Sequence, residues 1–206
     1  MKRLRQVIRS LPRKREPSKG RYRRRNNLRM EVLETRLPLA GTSDSFNGVT
    51  LDPQLWAFVD PQADSAVVLN GGAAEIDVAG GTSHDLWAAG AESPRIMQDV
   101  DDSDFVSEIK LDSVPSQTAQ FNGLLIETVA GDFLRFDFTH NSGGLRVFAA
   151  TLDAGQPTVR YNEGISSAEA SYLRVERTGD LWTQRYSADG QTWNQAAAFT
   201  LSVVVD

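Results

Sequence analysis

The stretch GLLIETVAGDFLRFDFTHNSGGLRVFAAT, residues 123–151, decides the fold, because apolar and polar residues alternate along it between turn-forming clusters. Leu134, Phe136 and Phe138 fall on one side of an extended chain, and Phe133, Arg135 and Asp137 fall on the other. Side chains of a strand alternate with a period of two, so this reads as a strand with one face on a core. YLRVERTGDLWTQRYSADGQTW, residues 172–193, repeats the pattern, with Leu173 and Val175 set against Tyr172, Arg174 and Glu176. Asp189-Gly190 can supply the positive φ angles of a tight primed turn. Ser142-Gly143-Gly144 and Thr178-Gly179-Asp180 are similar breakers.

From Phe46 onward the chain is rich in Gly, Asp, Ser and Thr, with turn clusters at Asn70-Gly71-Gly72, Gly80-Gly81 and Asp101-Asp102. Short strands are expected at residues 66–69, 74–78, 105–111, 124–129, 133–138, 146–151, 172–177, 181–186 and 198–205, and no long amphipathic helix is expected among them. Such a chain forms two packed sheets or a barrel; the fold class is all-β, an antiparallel β-sandwich of jelly-roll type over residues 46–206.

The net charge of −5 conceals two different objects. Residues 1–36 hold 14 Lys and Arg against 3 acids, a balance of +11, which leaves 8 against 24, or −16, for residues 37–206. With no cysteine, neither a disulfide nor a thiolate metal site is available. No apolar run approaches the roughly 18 residues of a membrane span. Residues 1–45 are expected to be a disordered basic tail, since Arg and Lys with Pro12, Pro17 and Gly20 leave too little apolar surface to offset ordering; that this tail is export-related is implied only by a motif resemblance at residues 30–40. A standard signal peptide is not supported, because Glu31, Glu34 and Arg36 interrupt its only apolar candidate. A phosphate-binding arm is the competing reading, but Tyr22 is its one aromatic and the acidic body would repel nucleic acid.

Two resemblances follow from the motifs. MEVLETRLPLA, residues 30–40, resembles the LEPR-type motif of large planctomycete surface and exported proteins, with Leu33, Glu34, Arg36, Leu39 and Ala40 matching and Thr35 in place of the motif's proline. FNGVTLDPQLWAFVDP (residues 46–61), SHDLW, SPRIMQDVDDSDFVSEIKLDSVP, GLLIETVAGDFLRFDF and YLRVERTGDLWTQRYSADGQTW, in that order, resemble a concanavalin A-like module of the lectin/glucanase class. Such modules occur in bacterial extracellular proteins and are related to the C-terminal β-sandwich of family 43 β-xylosidases. The resemblance implies a secreted or cell-surface, non-catalytic domain that binds a polysaccharide or glycoconjugate or serves adhesion. It also implies a further strand pair after residues 199–205, so a sheet edge is expected to lack a partner.

Sugars are held by an aromatic ring against their C–H face and by polar side chains at their hydroxyls. His84, Asp85, Trp87 and Arg95 share a loop-rich region, and Arg135 with Asp137 share the face of a central strand turned from the core. These six are the expected carbohydrate site; the alternative is that Trp87 plugs the core edge and Arg135 pairs with Asp137 as a surface ion pair, in a spacer domain without a ligand. Trp182, Tyr186 and Trp193 read as cross-strand staples. Asp99, Asp101, Asp102 and Asp104 could offer oxygen to calcium but lack EF-hand spacing, so no metal or other cofactor is assigned. Glu75 and Asp77 resemble part of the EIDxxE stretch of family 16 glucanases without its third acid, and no GxSxG elbow accompanies His84 or His140. Catalysis is therefore not expected, glycoside hydrolysis being the rival class.

Overall fold

The computed structural model describes residues 43–87 and 90–206. The basic segment and the LEPR-type motif fall at residues 1–42, outside the described residues. The strands are β1 (Ala57–Val59), β2 (Ser65–Asn70), β3 (Ala73–Val78), β4 (Leu86–Trp87), β5 (Gly90–Ala91), β6 (Arg95–Met97), β7 (Phe105–Lys110), β8 (Phe121–Glu127), β9 (Phe133–Asn141), β10 (Gly144–Asp153), β11 (Gln156–Gly164), β12 (Tyr172–Thr178), β13 (Leu181–Ser187) and β14 (Asn194–Thr200). One sheet runs β11-β10-β9-β8 and another β14-β13-β12-β7, while β1-β6, β2-β3 and β4-β5 are two-stranded ribbons. Every pairing is antiparallel.

The alternation explains why the two four-stranded sheets face one another. Leu134, Phe136 and Phe138 of β9 and Val147 and Ala149 of β10 are buried in one core with Leu173 and Val175 of β12, Trp182 of β13 and Phe105 of β7. Phe136 stacks on Trp182 at 6.3 Å and on Phe199 at 6.1 Å, so a β9 ring lies against both β13 and β14. Trp182 also donates its indole N–H to the Leu201 carbonyl at 3.0 Å, which satisfies the one polar atom of the largest core side chain. The result is the antiparallel β-sandwich that the pattern predicts.

The strand at residues 133–138 differs from expectation: all six residues are buried, so β9 is covered on both faces. The second cover is a small cluster of Leu86, Phe133 and Leu152 with Ala91, Phe121 and Leu125, in which the β4-β5 ribbon lies over the outer face of the sheet. Arg135 and Asp137 are therefore buried, not surface residues.

Turn chemistry also departs in places. Asp189-Gly190 does not form a two-residue turn: β13 ends at Ser187 and β14 begins at Asn194, and only Gly190 of the two has positive φ. The Asp189 carboxylate instead accepts the backbone N–H groups of Gln191 and Thr192 at 2.8 and 2.7 Å, organising a longer loop. Primed-turn geometry is found at Gly71-Gly72 and at Ala154-Gly155, where both residues have positive φ. β11 was not expected from the sequence. Pro157 and a register shift between Ala149 and Ala150 break its alternation, and an edge strand tolerates both.

The expected strand at 198–205 divides. Residues to Thr200 pair with β13, whereas Val205 bridges Thr128 and Val129 donates to the Val204 carbonyl, so the chain passes to the other sheet and runs beside the end of β8. β14 is an edge strand, as are β7, β8 and β11.

Candidate functional site

The strand register places a definite set of side chains on the outer face of the β8–β11 sheet. Arg135, Asp137, Thr139 and Asn141 recur at every second residue of β9. Across from them, Asp137 pairs with Phe148 and Thr139 with Arg146 in β10, and Phe148 pairs with Asn162 and Ala150 with Val159 in β11. Beside the β4-β5 ribbon this face holds a groove of about 280 Å³ lined by Trp87, Arg135, Thr139, Asn141, Phe148, Val159 and Asn162. The Trp87 and Phe148 rings are 6.1 Å apart and tilted by 53°. Aromatic and aliphatic carbon thus meets two amides, a hydroxyl and a guanidinium in one concavity.

Arg135 anchors the groove's ribbon side. Its Nε donates to Asp137 Oδ2 at 2.7 Å and its Nη1 donates to the Leu86 carbonyl at 2.6 Å, fixing the backbone next to Trp87. The guanidinium also lies over the rings of Phe121 and Phe148, at 4.7 and 5.1 Å. Nη2 has no hydrogen bond to the described residues. Asp137 sits against Gly123: a Cβ there would come within 2.2 Å of the Phe136 carbonyl and 2.7 Å of Asp137 Cβ, so only glycine fits. Burial pushes the Asp137 carboxyl above the ordinary carboxylate range, and the Arg135 charge opposes that shift. Below the groove, buried Gln184 of β13 donates to the Phe148 carbonyl at 3.1 Å and ties the opposite sheet to the groove floor.

Residues 43–205 match the model of the family described as the Beta xylosidase C-terminal Concanavalin A-like domain. The chain belongs to this family. Among solved structures this concanavalin A-like domain is similar to the GH43 BlXynB protein from Bacillus licheniformis, with a TM-score of 0.62 and 16% identity over 76% of this chain. The match covers 30% of that protein's chain, so this domain corresponds to under a third of its length. No curated protein matched the chain.

Of the six residues expected at a site, the domain brings Trp87, Arg135 and Asp137 together at the groove. The other three have structural partners. His84 Nε2 is 2.8 Å from Asp64 Oδ1, a contact that lowers the Asp64 carboxyl, and Asp85 accepts the Leu86 N–H at 2.9 Å. Arg95 donates to the carbonyls of Ala91 and Ser93 and pairs with Glu127 at 2.5 Å. Thr139, Asn141, Phe148, Val159 and Asn162 were missed. Thr139 and Asn141 extend the Arg135–Asp137 alternation and were within reach of sequence reasoning; the β10 and β11 residues depend on register.

The remaining motifs fall elsewhere in the domain. Trp182 and Tyr186 belong to the core, whereas Trp193 lies under Arg174, whose guanidinium is 3.9 Å from its ring centre. Asp102 accepts from Arg177 Nη1 at 2.5 Å and from the Val205 N–H at 3.0 Å, and Asp104 accepts the Gly179 N–H at 2.6 Å. Among the described residues no three His, Asp or Glu side chains are placed to hold a metal. Glu75 and Asp77 are exposed on the β2-β3 ribbon.

Proposed function

We propose that the domain is a non-catalytic carbohydrate-binding module of an exported protein, which takes a polysaccharide or glycoconjugate at the groove beneath Trp87. The observation that carries this reading is the lining itself. Trp87 and Phe148 offer apolar surface to a sugar's C–H face, while Arg135 Nη2, Thr139, Asn141 and Asn162 offer donors and acceptors to its hydroxyls. The family's association with β-xylosidases points to a polymer of xylose as the first probe and supports an extracellular setting. Among the described residues no helix is long and apolar enough to cross a membrane.

A hydrolytic role is not supported by this lining. Retaining or inverting hydrolysis needs two carboxyls flanking the bond. The groove lining contains no carboxylate, and Asp137 beneath it is held by Arg135. The 24 acids against 8 bases in residues 37–206 also make this body a poor partner for nucleic acid.

Calorimetric titration of the full chain with xylan and xylotetraose tests the reading. Measurable binding, weakened about tenfold or more by Trp87→Ala through lost stacking area, is the expected result. Absence of binding to xylan, and to a panel of other polysaccharides, would favour a spacer domain.

A further inference from the structure

The charge of the ligand can be read from the domain's arginines. Seven of them lie among the described residues: Arg95, Arg135, Arg146, Arg160, Arg174, Arg177 and Arg185. Five are matched by carboxylates: Arg95 by Glu127, Arg135 by Asp137, Arg174 by Glu108, Arg177 by Asp102 and Arg185 by Glu176. Arg146 and Arg160 have no carboxylate at ion-pair distance among the described residues. In a body where acids outnumber bases three to one, an unmatched guanidinium needs a reason.

The two are differently placed. Arg160 donates from Nε to the Thr151 hydroxyl at 3.2 Å and lies 5.1 Å above the Phe199 ring, so an aromatic face takes its charge. Arg146 does not line the groove but flanks its Thr139 and Asn162 end, opposite Thr139 in β9 and Gly164 in β11. It is held by a single groove residue: its Nε donates to the Asn162 side-chain oxygen and its Nη2 to the Asn162 carbonyl at 2.7 Å. The remaining nitrogen, Nη1, faces two residues without side chains, since a Cβ built on Gly143 or Gly164 would be 3.8 or 3.9 Å from it. Two fixed bonds orient the guanidinium, and its third nitrogen is left open. A charge-assisted bond to a bound anion then costs little side-chain ordering.

The Arg135 end is electrically different. Asp137 at 2.7 Å compensates that guanidinium, so Nη2 acts there as a donor in a neutral pair. Arg146 of β10 pairs with Thr139, four residues beyond Arg135 along the strand direction, a step of roughly 13 Å at about 3.3 Å per residue, and the apolar ring of Phe148, which pairs with Asp137, falls between them.

Resting on the carbohydrate reading of the groove, we infer that the Arg146 end is a subsite for the carboxylate of a uronic-acid unit, while the Arg135 end takes uncharged hydroxyls. The ligand is then an acidic oligosaccharide with its charge at one end of a neutral stretch. Arg146 is the residue that sets this preference.

The test compares three probes by calorimetry on the full chain: xylotetraose, a xylo-oligosaccharide of similar length bearing one glucuronic acid, and a sulfated oligosaccharide of that length. The uronate-bearing probe is expected to bind about tenfold more tightly than xylotetraose, with the advantage shrinking in 0.5 M salt. Arg146→Gln should bring the ratio of the two affinities to about one, whereas Arg160→Gln should keep it. An equal affinity for both probes, or a preference surviving Arg146→Gln, would overturn the subsite while xylotetraose binding kept the groove reading intact. Tighter binding of the sulfated probe than of the uronate would overturn its assignment to a carboxylate. Failure of every probe to bind would remove the groove reading and the subsite together.

Discussion

Arg135 and Asp137 were legible as partners from their spacing, since residues two apart on a strand share a face, but their burial was not. Nothing in the local pattern says that a distant ribbon, β4 with β5, will cover that face. The consequence is energetic. A buried ion pair is worth little against an apolar substitute, yet breaking it leaves one charge uncompensated. Arg135→Met should therefore cost about 3–5 kcal/mol at neutral pH, and Arg135→Met with Asp137→Leu should recover most of that loss, as read by urea unfolding. The pH response of the single variant has a definite sign. Burial raises the Asp137 carboxyl in the folded state, so the native chain retains a proton that the unfolded chain releases above the ordinary value of 3.8. Stability is then greatest below that value and falls as pH rises through the raised pKa, a fall that extends to higher pH without Arg135 to oppose the shift. Asp189 behaves in the opposite way. Its carboxyl is lowered to about 2, first by the Thr192 N–H and then by the Gln191 N–H, so its contribution is present above about pH 4 and is lost as pH falls towards 2. Asp189→Asn should flatten the fall in Tm across that window; an unchanged slope would show that the loop bonds do not favour the ionised form.

At the level of the strand, β9 shows what period-two reasoning delivers and where it stops. The inward set Leu134, Phe136 and Phe138 is placed correctly, and so are the shared faces of Arg135, Asp137, Thr139 and Asn141. What alternation cannot supply is register: β10 pairs with β9 without a break, but β11 carries an extra residue, Arg160, opposite Ala149 and Ala150, a bulge set by packing. Phe148, Val159 and Asn162 are joined to the groove only through that register. Hairpins follow the same division. Gly71-Gly72 marks a turn in any reading, whereas Ala154-Gly155 adopts the same geometry with an alanine at φ 49°, which turn statistics do not anticipate. Gly123 constrains the same strand, since its missing side chain is what lets β8 approach Asp137. Gly123→Ala should destabilise by at least about 1–3 kcal/mol, because the obstruction is backbone at 2.2–2.5 Å and not a mobile side chain. A loss within a few tenths of a kcal/mol in chemical denaturation would show that the strands can separate freely.

In the whole molecule, the four sheet edges are protected unequally. β11 carries Pro157, Arg160, Glu163 and a bulge; β7 carries Glu108 and Lys110; the end of β8 is paired with residues 204–206. From Gln191 to Val205 there is no charged residue, and β14 lies within that run. Charges and prolines are the usual guards of an edge. Self-association that grows with concentration is expected in sedimentation velocity, and Ala198→Lys should suppress it; a wild-type chain that stays monomeric at high concentration would show the β14 edge to be guarded. The sequence disclosed that a sandwich forms, but not that the β4-β5 ribbon would fold over one sheet and create a groove with Trp87 as its wall. That step is long-range, carried by the Arg135 bond to the Leu86 carbonyl. Chemical-shift mapping of the full chain during titration with xylotetraose probes it directly. The Trp87 indole and the amides of Arg135, Thr139, Phe148 and Asn162 are expected to move together and saturate at one affinity. Perturbations confined to the opposite sheet, around Arg174 and Trp193, would contradict it.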